Sequence, residues 1–187
     1  MSKIPKQAKK VFTGEIFDVY QWEQKMFDNT TETFEMIKRP NTLLTIATSG
    51  DKVLLAKEEQ PMKKSSHTLF GGRQEKNETP LEGAKRELLE ESGMKSNDWE
   101  KLHSYQATEE ITNKIDWEVH YFIARNCKKI QDQKLDSGEK IETLKVSFEK
   151  FIDVFTKKQN RGHWITYYLK KLKTENKLEE FRKKIFK

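Results

Sequence analysis

Val11 to Glu23 and Thr31 to Lys38 are rich in β-branched and aromatic residues, and Asp28-Asn29-Thr30 between them suits a turn, so the pair reads as a hairpin. Two shorter apolar runs, Leu43 to Thr48 and Lys52 to Ala56, are parted by Ser49-Gly50-Asp51 and carry a second hairpin signal. A strand over Thr68 to Arg73 runs into a Gly-Gly break ahead of a helix. Further strands are predicted near Leu102 to Ala107, Val119 to Ala124 and Ile141 to Val146, with helices near Phe148 to Thr156 and Trp164 to Phe186. The largely polar stretch Gln131 to Gly138 is expected to form an exposed loop. No internal repeat or low-complexity linker interrupts this pattern. Locally paired strands with helices between them predict an α/β or α+β sandwich on a mixed β-sheet, with an N-terminal antiparallel hairpin.

The helix after the glycines has a well-marked start and stop. Thr79 suits the N-cap, Pro80 the first turn and Glu82 a capping box, while Gly93 is placed to end the helix. With about 100° per residue, Leu81, Ala84, Leu88 and Ser92 fall on one side, and Glu87, Glu90 and Glu91 share a different arc. Like charges at these spacings repel by about 0.2–0.5 kcal/mol per pair, and anions near a helix C-terminus oppose its dipole. Local stability does not explain three carboxylates there. A solvated acidic face is the plain reading. The chemical reading is a hard divalent cation, Mg²⁺ or Mn²⁺, which favours carboxylate oxygens and converts the repulsion into a binding site.

Composition adds limits. A chain of 187 residues suits one main domain able to bury a core without staples, and 11 Phe, 5 Tyr and 4 Trp supply large buried surfaces although 35% of residues are charged. No apolar stretch approaches the roughly 18 residues that span a bilayer, and MSKIPKQAKK lacks the apolar centre of a secretory signal, so a soluble protein without membrane contact is expected. The single cysteine, Cys127, permits no intramolecular disulfide and points to a reducing compartment, the cytoplasm; with no His or acid near it in sequence, it is not read as a catalytic thiol. The net charge of +6 is uneven: residues 1–10 carry four Lys and no acid, and residues 157–187 carry eleven Lys or Arg against three Glu. A solvated lysine-rich helix face is preferred to a nucleic-acid patch.

The segment GGRQEKNETPLEGAKRELLEESGM resembles the Nudix signature, with Gly72, Glu78, Arg86, Glu87, Glu90, Glu91 and Gly93 at the family's spacing and Leu88 and Met94 at its aliphatic positions. The resemblance implies a loop-helix-loop set in an α/β/α sandwich. It implies Glu87, Glu90 and Glu91 as ligands of Mg²⁺ or Mn²⁺, with Gly72 letting the backbone pass close to metal or phosphate. Arg86 would pair with Glu78 and orient the helix, as its fixed fork of donors allows. The implied reaction is attack of water on phosphorus in a diphosphate.

Outside the signature, VFTGEIFDVYQWEQ, IKRPN, LLAKEEQP and LDSGEKIETLKVSFEKFIDVF resemble the ADP-ribose and nucleotide-sugar pyrophosphatase branch. That likeness implies a small nucleotide substrate, a homodimer, and a loop glutamate that activates water. Glu139 is matched to that role, with Glu142 as the alternative. Phe70 in place of a usual Pro, Gly71 in place of a frequent Ala, and YQATEEITNKIDW without its Pro are departures that leave room for another nucleotide sugar or a dinucleotide. Arg39 and Arg73 are candidate phosphate contacts, Trp22 a candidate for stacking on a base along with Tyr20 and Phe27, and Glu109, Glu110 and Glu118 candidates to extend the metal shell. His67 and His163 lack metal-ligand spacing. The expected organisation is an N-terminal hairpin region over 1–40, a catalytic domain over 41–158 and a basic C-terminal helix over 159–187. The rival readings are processing of RNA 5′-end phosphates and a Nudix-shaped binding module without catalysis.

Overall fold

The computed structural model describes residues 3–61, 63–106, 114–157 and 164–187. Three strands come first, β1 (Lys9–Thr13), β2 (Asp18–Lys25) and β3 (Thr31–Lys38), followed by β4 (Thr42–Ser49), β5 (Lys52–Gln60) and β6 (Lys63–Thr68). Helix α1 (Pro80–Ser92) leads to β7 (Met94–Lys95), β8 (Asp98–Gln106), β9 (Ile115–Asp116), β10 (Glu118–Arg125), β11 (Lys128–Lys129) and β12 (Lys140–Val146). Helices α2 (Phe148–Thr156), α3 (Trp164–Thr174) and α4 (Leu178–Ile185) follow.

The main sheet runs β12-β5-β4-β10-β8. Only the β4–β10 pair in it is parallel, so the sheet is mixed. One edge of β5 holds β12 continuously, while the other pairs with β4 up to Leu54 and with β6 from Ala56 onward. A second sheet, β1-β2-β3-β9, contains the N-terminal antiparallel strands, and β7 pairs with β11.

Alternation along the central strands sends side chains to two cores. Ile46, Val53, Leu55, Tyr121 and Ile123 pack against Phe148, Phe151 and Phe155 of α2, Ile165 and Leu169 of α3, and Phe181 and Ile185 of α4. Their neighbours Ala47, Leu54, Ala56 and Ala124, with Ile141, face Leu88 of α1, while Leu43 and Phe122 meet Ala84. A sheet covered on both faces needs nearly continuous apolar strands, which explains why Leu43 to Thr48 does not alternate with polar residues. Each large aliphatic or aromatic side chain buried here contributes about 1.5–3 kcal/mol. The result is an α/β/α sandwich.

Three expectations change in detail. Val11 to Glu23 is two strands, because the chain turns where the Gly14 N–H donates to the Phe17 carbonyl at 2.9 Å. Beyond β6, the segment to Arg73 makes only isolated bridges to β4, Thr45 with Phe70 and Thr42 with Arg73. Trp164 to Phe186 is two helices, broken where Asn176 takes the left-handed conformation (φ 56°) that asparagine tolerates. Ala107, Glu109, Glu110 and His163 lie outside the described residues. Arg125, only 4% exposed, pins α4 to the sheet: its Nε donates to the Lys184 carbonyl at 2.8 Å, Nη1 to Asp98 at 2.9 Å, and Nη2 to Glu100. Among the described residues no helix is long and apolar enough to cross a membrane.

Candidate active site

Helix α1 is set by its ends. Thr79 Oγ1 accepts the Glu82 N–H at 3.3 Å, Glu82 Oε2 accepts the Thr79 N–H at 2.7 Å, and Gly93 closes the helix in the left-handed conformation with its N–H on the Leu89 carbonyl. Such a cap is worth about 1 kcal/mol and fixes where the first turn begins, hence which residues face the sheet. Ala84 and Leu88 are buried there. Glu87, Glu90 and Glu91 then lie along one wall of a cleft of about 800 Å³.

The backbone ahead of α1 closes that wall. Phe70 and Gly72 give their carbonyls to the Thr45 and Leu43 N–H groups, so Gly71 between them turns its own N–H away from β4, onto Glu91 Oε2 at 2.7 Å. Gly71 has φ +149°, and a Cβ there would lie 1.8 Å from the Leu43 carbonyl oxygen. Only glycine fits. At Gly72 a Cβ would meet the Glu87 carboxylate at 2.5 Å, so its absence lets that carboxylate lie against the chain.

Arg86 organises the carboxylates. Its Nε and Nη2 grip both oxygens of Glu78 at 3.1 and 3.0 Å, Nη1 reaches Glu87 Oε1 and Glu90 Oε2 at 3.0 Å each, and Nη2 also donates to the Arg73 carbonyl. The pair with Glu78 holds that carboxyl below the usual range and keeps the guanidinium firmly protonated. Repulsion between Glu87 and Glu90 is therefore partly compensated within the helix itself.

Glu91 behaves differently from an exposed ligand: it is only 8% exposed. Burial, opposed by the Gly71 N–H and aided by the charges of Glu87, Glu139 and Glu58, pushes its carboxyl up to about 9. Burial also raises Glu87, against the pull of Arg86. Glu139 is raised by burial first and then by Asp136, Glu58 and Glu90.

Glu139 reaches the cleft by strand parity. It stands just before β12 on the same face as Ile141, which packs in the α1 core, and it lines the cleft. Glu142 points to the opposite face and pairs with its cross-strand neighbour Lys57 at 2.9 Å. The same parity carries β5 from Leu54 and Ala56 in the core to Glu58 and Gln60 on the cleft wall, with the Gln60 amide donating to Glu58 at 2.5 Å. Continued alternation past Ala56 was the available signal for these two residues. Asp136 and Lys134, also on the wall, sit in irregular backbone and had no such signal.

Among the other candidates, Arg73 lines the cleft. Arg39 lies beside it without lining the wall: its guanidinium stacks over Trp117 at 4.4 Å, and burial followed by the Arg73 charge lowers its pKa. Arg39 Nε is buried and has no hydrogen-bond partner among the described residues. Trp22 is not brought to the cleft; it lies in β2, donates to Gln24 at 3.1 Å and packs near Phe34. Glu118 sits near His120 at 3.4 Å, away from the wall. Cys127 is buried, and burial pushes its thiol up to about 11, which makes it a poor nucleophile at neutral pH.

Among the described residues no three His, Cys, Asp or Glu side chains converge into a ready metal-holding group. The physical reason is visible: Arg86 draws Glu87 and Glu90 to its Nη1, and Gly71 holds Glu91. The donor set nevertheless suits a hard cation. Its oxygens are carboxylate, they share one wall, and burial disfavours the uncompensated negative charge of Glu91 and, against the pull of Arg86, that of Glu87.

Comparison with known proteins agrees with this geometry. The chain is 24% identical over 143 residues to the ADP-ribose pyrophosphatase of Bacillus subtilis (strain 168), covering 75% of this chain and 76% of that protein. It is 22% identical over 156 residues to the methanol dehydrogenase activator of Bacillus methanolicus, covering 82% and 83%. The crystal structure of an ADP compounds hydrolase superposes with a TM-score of 0.65 at 16% identity, over 92% of this chain and 95% of that one, a likeness of fold. The NUDIX domain family model matches residues 38–168, a span that includes β4 to α2 and every carboxylate of the cleft. The chain belongs to the NUDIX domain family.

Proposed function

We propose that the protein hydrolyses the diphosphate linkage of a nucleoside diphosphate derivative, ADP-ribose or a nucleotide sugar, with Mg²⁺ or Mn²⁺. The observation that carries this reading is the gathering of Glu87, Glu90, Glu91 and Glu139 on one cleft that also holds Arg73 and Lys76. The similarity to an ADP-ribose pyrophosphatase supports the substrate class.

Glu87, Glu90 and Glu91 would hold the cation. When bound, it neutralises diphosphate oxygens and makes water more acidic. The backbone of Gly71 turns toward Glu91, whereas the Gly72 carbonyl is committed to Leu43; Gly72 serves the site through its missing Cβ. Arg86, held by Glu78, fixes where the helix carboxylates stand. Arg73 and Lys76 donate to phosphate oxygens, and Arg39 adds charge beside Arg73. A carboxylate oxygen of Glu139 takes the proton from the attacking water, and its raised pKa makes it a stronger base than an exposed glutamate.

The basic helices α3 and α4 cover the sheet face opposite α1, so their charge does not extend the cleft. This favours a small nucleotide over an RNA end. A homodimer is proposed through the N-terminal sheet, where every residue of β1 is exposed and Val11, Phe12 and Phe17 present apolar surface. Phe12→Ser with Phe17→Ser should then halve the mass seen by light scattering. The buried free thiol of Cys127 fits a reducing compartment, the cytoplasm.

The deciding experiment incubates the protein with a panel of nucleoside diphosphate derivatives, Mg²⁺ or Mn²⁺, and ¹⁸O-water, with products read by mass. Cleavage of ADP-ribose or a nucleotide sugar, with ¹⁸O on one phosphate product and activity abolished by chelator, is expected. Turnover of triphosphates or RNA ends alone would overturn the substrate class, and no hydrolysis of any diphosphate would overturn the catalytic reading.

A further inference from the structure

A second pocket, of about 500 Å³, lies on the α1 face of the sheet at the other end of β12. Along this face of β12, Glu139 belongs to the cleft, Ile141 to the core, and Thr143 and Lys145 to the second pocket. Its charged lining is entirely lysine: Lys128 and Lys129 from β11, and Lys145. The cleft, by contrast, is rich in carboxylates.

Two of the three lysines are uncompensated. Among the described residues neither Lys128 nor Lys145 makes an ion pair, and Lys129 reaches only Asp132, at 3.0 Å, with both side chains well exposed. An exposed pair of that kind is weak. The remaining polar lining is neutral: Ser49, Ser92, Gln133 and Thr143, the last with a hydroxyl that has no hydrogen-bond partner among the described residues. Cys127, also on the wall, stays protonated. The backbone beneath is ordered by pairing, Lys128 with Lys95 and Lys129 with Met94. Gln133 ties the wall to both neighbouring elements, its amide donating to the Glu91 carbonyl and, at 3.1 Å, to that of Ile141.

A concave site lined by one sign of charge concentrates ions of the other sign, and an ammonium group is an effective point-charge partner for phosphate. We propose that this pocket binds a phosphoryl anion, free or carried by a small nucleotide, at a site separate from the cleft. The pocket takes the phosphate through Lys128 and Lys145, with Lys129 released from Asp132 to join them.

The test uses the full chain with Mg²⁺ present, titrated with inorganic phosphate in one arm and AMP in the other, and read by backbone amide ¹H–¹⁵N shifts. Saturable shifts at Lys128, Thr143 and Lys145 are expected, and they distinguish this pocket from residues 87–91 of the cleft. Phosphate alone sufficing identifies recognition of the free anion; saturation only with AMP identifies the nucleotide-borne group. Lys128→Gln with Lys145→Gln should weaken that binding at least about tenfold, as expected for lost charge-assisted bonds. The control Lys170→Gln with Lys173→Gln removes the same charge from α3 and should leave it unchanged. Absence of saturable shifts at the pocket with either probe, persistence in the Lys128/Lys145 variant, or equal weakening in the control overturns the proposal.

Discussion

The guanidinium of Arg86 holds both oxygens of the Glu78 carboxylate, Nε on Oε2 at 3.1 Å and Nη2 on Oε1 at 3.0 Å, across the start of α1. Both side chains are mostly shielded, at 24% and 15% exposure, so solvent screens the pair only in part. Glu78 Oε1 also accepts the Glu75 N–H at 2.7 Å, which extends the link into the loop that carries Arg73 and Lys76. One pair of residues thus sets the helix against the loop facing it.

Arg86→Lys should break this geometry, because a single ammonium cannot reproduce the two-pronged grip. A loss of about 1–3 kcal/mol in urea unfolding is expected together with loss of activity. Unchanged stability with weakened substrate affinity would instead mean that Arg86 contacts phosphate.

Glu91 predicts a pH dependence of the metal-free protein. Its carboxyl is raised from an ordinary 4.5 to about 9, so the folded state binds its proton more tightly than the unfolded state. The stability this group contributes is full below about 4.5 and is lost progressively as pH rises through about 9. In chelator, unfolding free energy should fall across that window, and Glu91→Gln should flatten the profile and be more stable at pH 8 by on the order of a few kcal/mol. The amide oxygen of the new glutamine can still accept the Gly71 N–H. Parallel profiles for the two proteins would remove the assignment.

Glu139 and Glu142 separate by face. Glu139→Gln should lower kcat by about 10²–10⁴ with little change in KM, as expected for a lost general base. Glu142→Gln loses only an exposed ion pair with Lys57 and should change stability by less than about 1 kcal/mol while leaving kcat intact. A large kcat loss in Glu142→Gln with a silent Glu139→Gln would reverse the assignment.

The two adjacent glycines should fail in different ways. Gly71→Ala forces a residue with a Cβ into φ +149° against the Leu43 carbonyl and should cost at least about 1–3 kcal/mol, read as a lowered unfolding midpoint. Gly72→Ala meets only the end of the Glu87 side chain, so the fold should survive while divalent-metal affinity, measured by calorimetry, declines.

Local rules were legible wherever neighbours in sequence are neighbours in space. Thr79, Glu82 and Gly93 marked the ends of α1 because capping uses groups within a few residues, and the arc of Glu87, Glu90 and Glu91 follows from helical rise alone. The apolar runs of β4, β5 and β10 revealed strands, and the signature spacing placed Glu78 opposite Arg86. Tertiary structure decided what depends on pairing at a distance. Register between β5 and β12 turned Glu139 into the cleft and Glu142 away, a choice that a one-residue shift would reverse. It also brought in Glu58 and Gln60, far from the signature, and left Trp22 in another sheet. Glu91 shares its arc with Glu90 in the sequence, yet tertiary packing buries it, and that burial raises its pKa against the opposing hydrogen bond from the Gly71 N–H. Desolvation is a property of what packs around a group, so chain order determined which carboxylates share the helix arc and packing determined how the proton affinity of each is shifted.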